Sequence, residues 1–200
     1  IMTGVNLMND SMLNTYQGKK ILITGHTGFK GAWLSIWLKS LGAEVTGISL
    51  DIPSKPSIFE ASCIGSVVKD QRADIRDAES LKLIVHKLKP DFVFHLAAQA
   101  LVGSSYQDPL DTLTTNAIGT ANLLNALRSL KETVIAVMIT SDKVYENVEW
   151  MWGYRETDRI GGKDPYSASK GMAELVIKTY LESFFKEEHS NIRIGVARAG

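Results

Sequence analysis

ILITGHTGFKGAWL, residues Ile21–Leu34, is the stretch on which the reading of the chain turns. Ile21, Leu22 and Ile23, ending at Thr24, form the short apolar run of a strand buried on both faces of a parallel sheet. Gly25, Gly28 and Gly31 follow. Trp33, Leu34, Trp37, Leu38 and Leu41 then recur at helical spacing, which predicts a helix with those side chains as its apolar stripe. Strand, glycine turn and helix together make a cradle for a pyrophosphate. Gly25 lets the chain turn sharply, Gly28 lets backbone N–H groups approach the phosphates, and Gly31 lets helix and strand pack closely. The helix start adds free N–H donors and the positive end of its dipole. The spacing is G-x-x-G-x-x-G, not the common G-x-G-x-x-G fingerprint, so the placement between strand and helix carries the reading.

Downstream, Glu44–Leu50 reads as a second strand ending at Asp51, twenty positions after Gly31. A carboxylate there accepts from the adenosine ribose hydroxyls and repels a 2′-phosphate. No arginine lies between Asp51 and Gln71, although Lys55 does, so NAD is favoured over NADP; a solvated loop aspartate is the other reading of Asp51. Ile52–Ser62 is a connection with one short helical turn at most. Val67–Gln71 is the third strand, and Asp74 sits where a strand end would meet the adenine. Asp77 can cap a helix through Leu81, Ile84, Val85 and Leu88 that stops before Pro90. Phe92–Leu96 is the fourth strand, and Ala97 and Ala98 after it leave room for a flat cofactor.

A long helix is expected from Pro109 or Leu110 to Leu130, with Asn116 interrupting its apolar face and holding either a kink or a water. Val134–Ile139 is the fifth strand, delivering Ser141, Asp142 and Lys143 to the carboxyl edge where open parallel sheets bind ligands. Val144–Pro165, rich in Trp, Tyr and Gly, is either a substrate wall or a surface loop pinned by aromatics. A last helix, Tyr166–Phe185, has Ala173, Val176, Ile177, Tyr180, Leu181 and Phe184 on its core face, and Ile192–Ala197 is the sixth strand. The order β-α-β-β-α-β-α-β-α-β predicts a Rossmann-type α/β fold, a doubly wound parallel sheet with helices on both faces.

The 200 residues, 44% hydrophobic and 22% charged with zero formal charge, suit one globular domain and show no electrostatic footprint for nucleic acid or an acidic membrane. Cys63 has no disulfide partner, and the four histidines lack ligand spacing, so no metal site is expected. Ile1–Gln17 reads as a disordered tail or expression remnant, leaving 18–200 as the domain. With no targeting segment and no apolar run of membrane length, a soluble cytoplasmic protein is expected.

Tyr166 and Lys170, four apart, project from one helix face. A free tyrosine titrates near ~10, too high for a base at neutral pH, but a nearby ammonium favours the phenolate. That phenolate can take a proton from a substrate hydroxyl while hydride leaves its carbon, with Ser141 orienting the hydroxyl.

TGHTGFKG (Thr24–Gly31), His95-Leu96-Ala97-Ala98, Asn116-x-x-Gly119 and Tyr166-Ser167-Ala168-Ser169-Lys170 resemble the extended short-chain dehydrogenase/reductases. SDKVYENVEWMWGYRE (Ser141–Glu156) and GGKDPYSASK (Gly161–Lys170) are similar to the CDP-glucose 4,6-dehydratase branch of that family. The resemblance runs from about Gly18 to Gly200. It implies a hydro-lyase of deoxysugar and lipopolysaccharide O-antigen biosynthesis with NAD as cofactor, and CDP-glucose as substrate. It implies NAD contacts at Gly25, Thr27, Gly28, Phe29, Lys30, Gly31, Asp51, Asp74, Ile75, Leu96, Ala97, Ala98, Thr115, Tyr166 and Lys170. Ser141, Tyr166 and Lys170 match the oxidation triad. Asp142 and Lys143 stand where related dTDP-glucose enzymes carry an Asp-Glu acid/base pair. Asn116 and Ser105 match structural or substrate positions. A homodimer through the helices at 110–130 and 166–185 is implied. Gly103 stands where the family usually has an arginine, and the family's smaller substrate domain, expected after Gly200, is largely absent.

Overall fold

The run Ile21–Ile23 forms the middle of a sheet, and all three of its side chains are wholly buried. The computed structural model describes residues 14–186 and 190–200. Within them, strands β1 (Lys20–Thr24), β2 (Glu44–Ser49), β3 (Lys69–Arg72), β4 (Phe92–His95), β5 (Val134–Ser141) and β6 (Ile192–Ala199) form one sheet. All pairs are parallel, in the order β3-β2-β1-β4-β5-β6. Helices α1 (Phe29–Ser40), α2 (Ile58–Ala61), α3 (Ala78–Leu88), α4 (Val102–Gln107), α5 (Pro109–Leu113), α6 (Gly119–Arg128) and α7 (Pro165–Tyr180) connect them. Alternation along the strands feeds two cores. Ile21, Ile23 and Val45 pack with Ala32, Leu38, Phe59 and Ile64 on one face. Leu22, Val93, Ala136 and Met138 pack with Leu81, Val85, Leu124, Leu127 and Ile177 on the other. The doubly wound architecture read from the sequence is the one observed.

Strand ends differ by a residue or two from expectation, most at β3, where polar Lys69–Arg72 pairs instead of Val67–Gln71. Backbone bonding to β2, not side-chain burial, defines that edge strand. The stripe expected on α1 is a larger correction. Its buried face is Gly31, Ala32, Ser35 and Leu38, whereas Trp33 and Trp37 are 52% and 49% exposed. A Cβ on Gly31 would lie 2.1 Å from the Gly25 carbonyl oxygen, so helix and glycine loop meet too closely for bulky side chains. The indoles turn to the outer flank.

The single helix expected over Leu110–Leu130 is broken into α5, a π-helical turn at Thr114–Ile118, and α6. Asn116 sits in that turn, its amide bonded to Gln99 and Ser169. Short α4 precedes it; six residues with a glycine and two serines give no periodic signal. The last helix also ends in a π-helical turn, Leu181–Phe185. The extra residue of such a turn rotates the face, so Phe185 is buried and Phe184 is 42% exposed under Arg128. Of the tail expected over 1–17, residues 1–13 lie outside the described residues. Tyr16 packs edge-on against Phe92 at 5.1 Å, so the fold begins before Gly18.

Candidate active site

The strand order reverses between β1 and β4, and the loops leaving these two strands flank the crevice that open sheets use for ligands. Gly25 has φ +78° and donates its N–H to the Ile48 carbonyl at 2.7 Å. A Cβ there would lie 2.7 Å from the Ala97 nitrogen, so only glycine lets the loop pass β4. Gly28 precedes α1, and a Cβ on it would meet only the Gly25 oxygen at 3.4 Å, which leaves its outer side open. The first intrahelical bond is Ala32 N–H to the Gly28 carbonyl at 2.8 Å, so the N–H groups of Phe29, Lys30 and Gly31 are unspent by the helix. This open helix start fits a diphosphate.

Lys170 is 8% exposed, and its ammonium has no hydrogen-bond or ion-pair partner among the described residues. Burial, and secondarily the charge of Lys30, bring it down to about 8. Lys30, whose ammonium donates to the Gly200 carbonyl at 3.3 Å, thus adds a second positive charge in the field of Lys170, which fits a dinucleotide diphosphate and its ribose hydroxyls. Thr27 Oγ1 donates to the Asp51 carbonyl at 2.6 Å, tying the loop to the residue that carries the exposed carboxylate beyond β2. Leu96, Ala97 and Ala98 are half-buried after β4, as is Thr115 in the π-helical turn.

Beneath this crevice lies a relay that the sequence did not reveal. Ala97 N–H donates to Thr24 Oγ1 at 3.2 Å, which is 2.7 Å from His95 Nδ1. His95 Nε2 is 3.1 Å from Thr120 Oγ1, which donates to the Asn116 carbonyl at 2.7 Å. The partners fix a neutral imidazole protonated on Nε2. Burial, with Lys170 second, lowers His95 to about 3. Asn116 is equally satisfied: Oδ1 accepts from Gln99 N–H at 2.8 Å, and Nδ2 donates to the Gln99 carbonyl at 3.0 Å and to Ser169 Oγ at 2.7 Å.

Ser141 closes β5. Its Oγ donates to Asp142 Oδ1 at 3.0 Å and accepts from Lys143 N–H at 3.2 Å. Asp142 and Lys143 form an exposed ion pair at 3.4 Å. Tyr166, half-buried on the first turn of α7, makes no side-chain hydrogen bond among the described residues, so its hydroxyl and that of Ser141 are not bonded to each other. Asp164 starts α7 by accepting from Ser167 N–H at 2.9 Å.

The Val144–Pro165 connection folds back on itself through a bridge between Tyr145 and Ile160. Tyr145 and Tyr154 stack at 5.0 Å. With Asp142, Lys143, Lys163, Asp164 and Ser167 they wall a cleft of about 460 Å³. A second device missed in the sequence pins this wall. Buried Glu174, one turn beyond Lys170, accepts from Thr140 Oγ1 at 2.6 Å and from Arg198 at 2.9 and 3.1 Å. Arg198 also donates to Tyr145 Oη at 2.8 Å. The i, i+4, i+8 series Tyr166, Lys170, Glu174 was the available signal.

Other predicted residues stand further back. Both Asp74 oxygens are taken by Arg76, whose hydrogen bonds hold that carboxyl below its usual range. The Ile75 side chain is buried against Gly119. Ser105 is wholly buried and donates to the Val102 carbonyl at 2.7 Å. No metal-binding group of three or more His, Cys, Asp or Glu occurs among the described residues, and no helix among them is long and apolar enough to cross a membrane.

A CDP-glucose 4,6-dehydratase of Salmonella typhimurium is 47% identical over 190 residues, 94% of this chain and 53% of that protein. A GDP-mannose 4,6-dehydratase of Vibrio cholerae is 30% identical over 178 residues, 83% of this chain and 46% of that one. The chain thus spans about half the length of the curated relatives it matches. The crystal structure of a Thermus thermophilus UDP-glucose 4-epimerase, in complex with NAD, superposes with a TM-score of 0.76 at 28% identity, over 90% of this chain and 54% of that one. Residues 22–193 match the family model described as GDP-mannose 4,6 dehydratase. Since that match runs from β1 into β6 and takes in the glycine loop, the β5 edge and α7, the chain belongs to the GDP-mannose 4,6 dehydratase family of extended short-chain dehydrogenase/reductases.

Proposed function

We propose that this chain carries the NAD-binding and reacting residues of a nucleotide-sugar 4,6-dehydratase that converts CDP-glucose to CDP-4-keto-6-deoxy-glucose. The observation that carries the reading is Lys170: a nearly buried side chain whose ammonium is partnerless among the described residues, one helical turn from Tyr166 and in the field of Lys30. Its nitrogen keeps some access to solvent, where an arriving acceptor can meet it. The similarity to the Salmonella typhimurium enzyme and the Asp142-Lys143 pair in place of Asp-Glu favour CDP-glucose.

The glycine loop, Lys30, Asp51 and Lys170 would hold NAD, which when bound would supply the reversible hydride chemistry for oxidation at C4 and reduction at C6. Tyr166 takes the C4 hydroxyl proton, the Lys170 charge stabilising its phenolate. Ser141 orients that hydroxyl, which bridges the two side chains once substrate is bound. The 4-keto group acidifies C5; Lys143 removes that proton and Asp142 protonates the departing C6 hydroxyl. Asp142 and Lys143 are an exposed ion pair, so before elimination substrate must shut water from the cleft and the pair's proton must pass from the Lys143 ammonium to the Asp142 carboxylate, leaving a neutral amine as the base and a carboxylic acid as the acid. An epimerase has no use for this acid/base pair.

The test is to incubate the purified protein, in the longest form the organism makes, with CDP-glucose and NAD, then assay for a 4-keto sugar by its absorbance in alkali. Product is expected, and Lys143→Ala should stall elimination. Untouched CDP-glucose, or its conversion to the C4 epimer, overturns the dehydratase reading.

A further inference from the structure

His26 lies inside the glycine loop and is wholly buried. Its Nε2 is 3.0 Å from Asp70 Oδ1 on β3, and its Nδ1 is 3.0 Å from Ser49 Oγ at the end of β2. A carboxylate only accepts, so Nε2 carries the proton and Nδ1 accepts from Ser49. Ser49 Oγ in turn accepts from the Thr27 N–H at 3.3 Å, next to Gly28. Arg72 holds the other Asp70 oxygen at 2.7 Å. Phe59 meets the imidazole edge-on at 5.4 Å. Space for the ring is made by Gly47 on β2, where a Cβ would lie 2.1 Å from His26 Cγ. Burial lowers the affinity of His26 for a second proton, against the pull of Asp70, which keeps Nδ1 an acceptor at neutral pH.

These contacts join three separate elements. The His26-Thr27 peptide, whose N–H is the one bonded to Ser49, leads into Gly28 and the position of a pyrophosphate, and Asp51 faces that of an adenosine ribose, two residues beyond Ser49. A dinucleotide must span both. Packing alone would be served by a leucine against Phe59, with β2 free to carry a side chain at Gly47. Instead a glycine is spent to admit a polar ring whose two nitrogens are both used.

Resting on the reading of the glycine loop as a dinucleotide cradle, we propose that His26 is a positioning residue for the cofactor. Through Ser49 and Asp70 it fixes the His26-Thr27 peptide against the end of β2, and so sets the span between the pyrophosphate and ribose subsites. The predicted signature lies in binding of the adenosine half, and it is separate from the proton transfers at Tyr166.

The experiment compares wild type, His26→Leu, His26→Asn and Ser49→Ala, each freed of bound nucleotide, by calorimetric titration with NAD and with ADP and by melting midpoint. Loss of the relay should weaken NAD and ADP by one common factor, roughly tenfold for His26→Leu and roughly threefold for Ser49→Ala. His26→Asn keeps an acceptor near the Nδ1 position and should recover part of the loss. At saturating NAD the turnover of Ser49→Ala should stay within about twofold of wild type. Folded His26→Leu with wild-type Kd for both nucleotides would show that the imidazole only packs the core. Should His26→Leu not fold, Ser49→Ala decides: an unchanged ADP Kd overturns the proposal. A wild-type protein that binds neither nucleotide defeats the cradle reading itself, an outcome distinct from equal binding by all four.

Discussion

Lys170 and His95 are two buried bases, His95 lying in the field of the Lys170 charge, and both bind protons less readily than they would in water. For Lys170 the folded value near 8 lies below the free value of 10.5, so the unfolded chain holds more protons between those limits. Wild-type stability therefore rises with pH across that window, and below it the full penalty of a buried charge is present. Lys170→Met should stabilise the nucleotide-free protein by about 1–3 kcal/mol at pH 7, with the gain fading toward pH 10.5, while abolishing oxidation. Urea midpoints at several pH values check this. His95 has its folded value near 3 against 6.5. Its contribution is complete above pH 6.5 and lost as pH falls toward 3. His95→Gln should flatten that acid limb by at most about 5 kcal/mol, read from the same titration. Gly31→Ala should be severe: the new Cβ strikes the Gly25 carbonyl, and helix and loop must part at a cost of roughly 2 kcal/mol or more, with NAD binding lost alongside.

Among the elements, the α5–α6 pair is held in its broken form by one amide. Asn116→Leu removes three hydrogen bonds and leaves the Gln99 N–H buried without a partner, so about 2–4 kcal/mol of stability should go, measured by denaturant unfolding. Gly103, on α4, has open space where a Cβ would go, so Gly103→Ala should stabilise by about 0.5–1 kcal/mol through helix propensity alone. That Asn116 needs partners was legible, because a lone amide on an apolar stripe has to be explained; the π-helical turn around it was not. The exposure of Trp33 and Trp37 was not, because periodicity records spacing but not how near two backbones come. Phe184 and Phe185 exchanged places for a similar reason. A π-helical turn leaves no mark in composition, yet it shifts every later side chain.

For the molecule as a whole, the doubly wound parallel sheet followed from the alternation of apolar runs with helical stripes, since right-handed crossovers leave few other arrangements, whereas the order of its strands came with the structure. The glycine loop and the Tyr166–Lys170 pair were visible because their spacing is local. The His26, His95 and Glu174 clusters join residues tens of positions apart, and only the folded sheet brings these together. Leu110, Ile118, Met172 and Leu175 are 71%, 51%, 42% and 55% exposed on the two helices expected to pair between protomers. A dimer by light scattering is the expected outcome, with Leu175→Glu shifting it to monomer.

Helix α7 is riveted at mid-length and capped at its start, where Asp164 accepts from both the N–H and the hydroxyl of Ser167. Ser169 is gripped by Asn116, and Glu174 by Thr140 and Arg198, whereas the Tyr166 hydroxyl one turn earlier holds no partner among the described residues. The backbone that carries the phenol is therefore fixed from both sides, by the Asp164 cap before it and by Ser169 Oγ on the Tyr166 carbonyl after it, so a partner that reaches the phenol asks only its side chain, not the helix, to adjust.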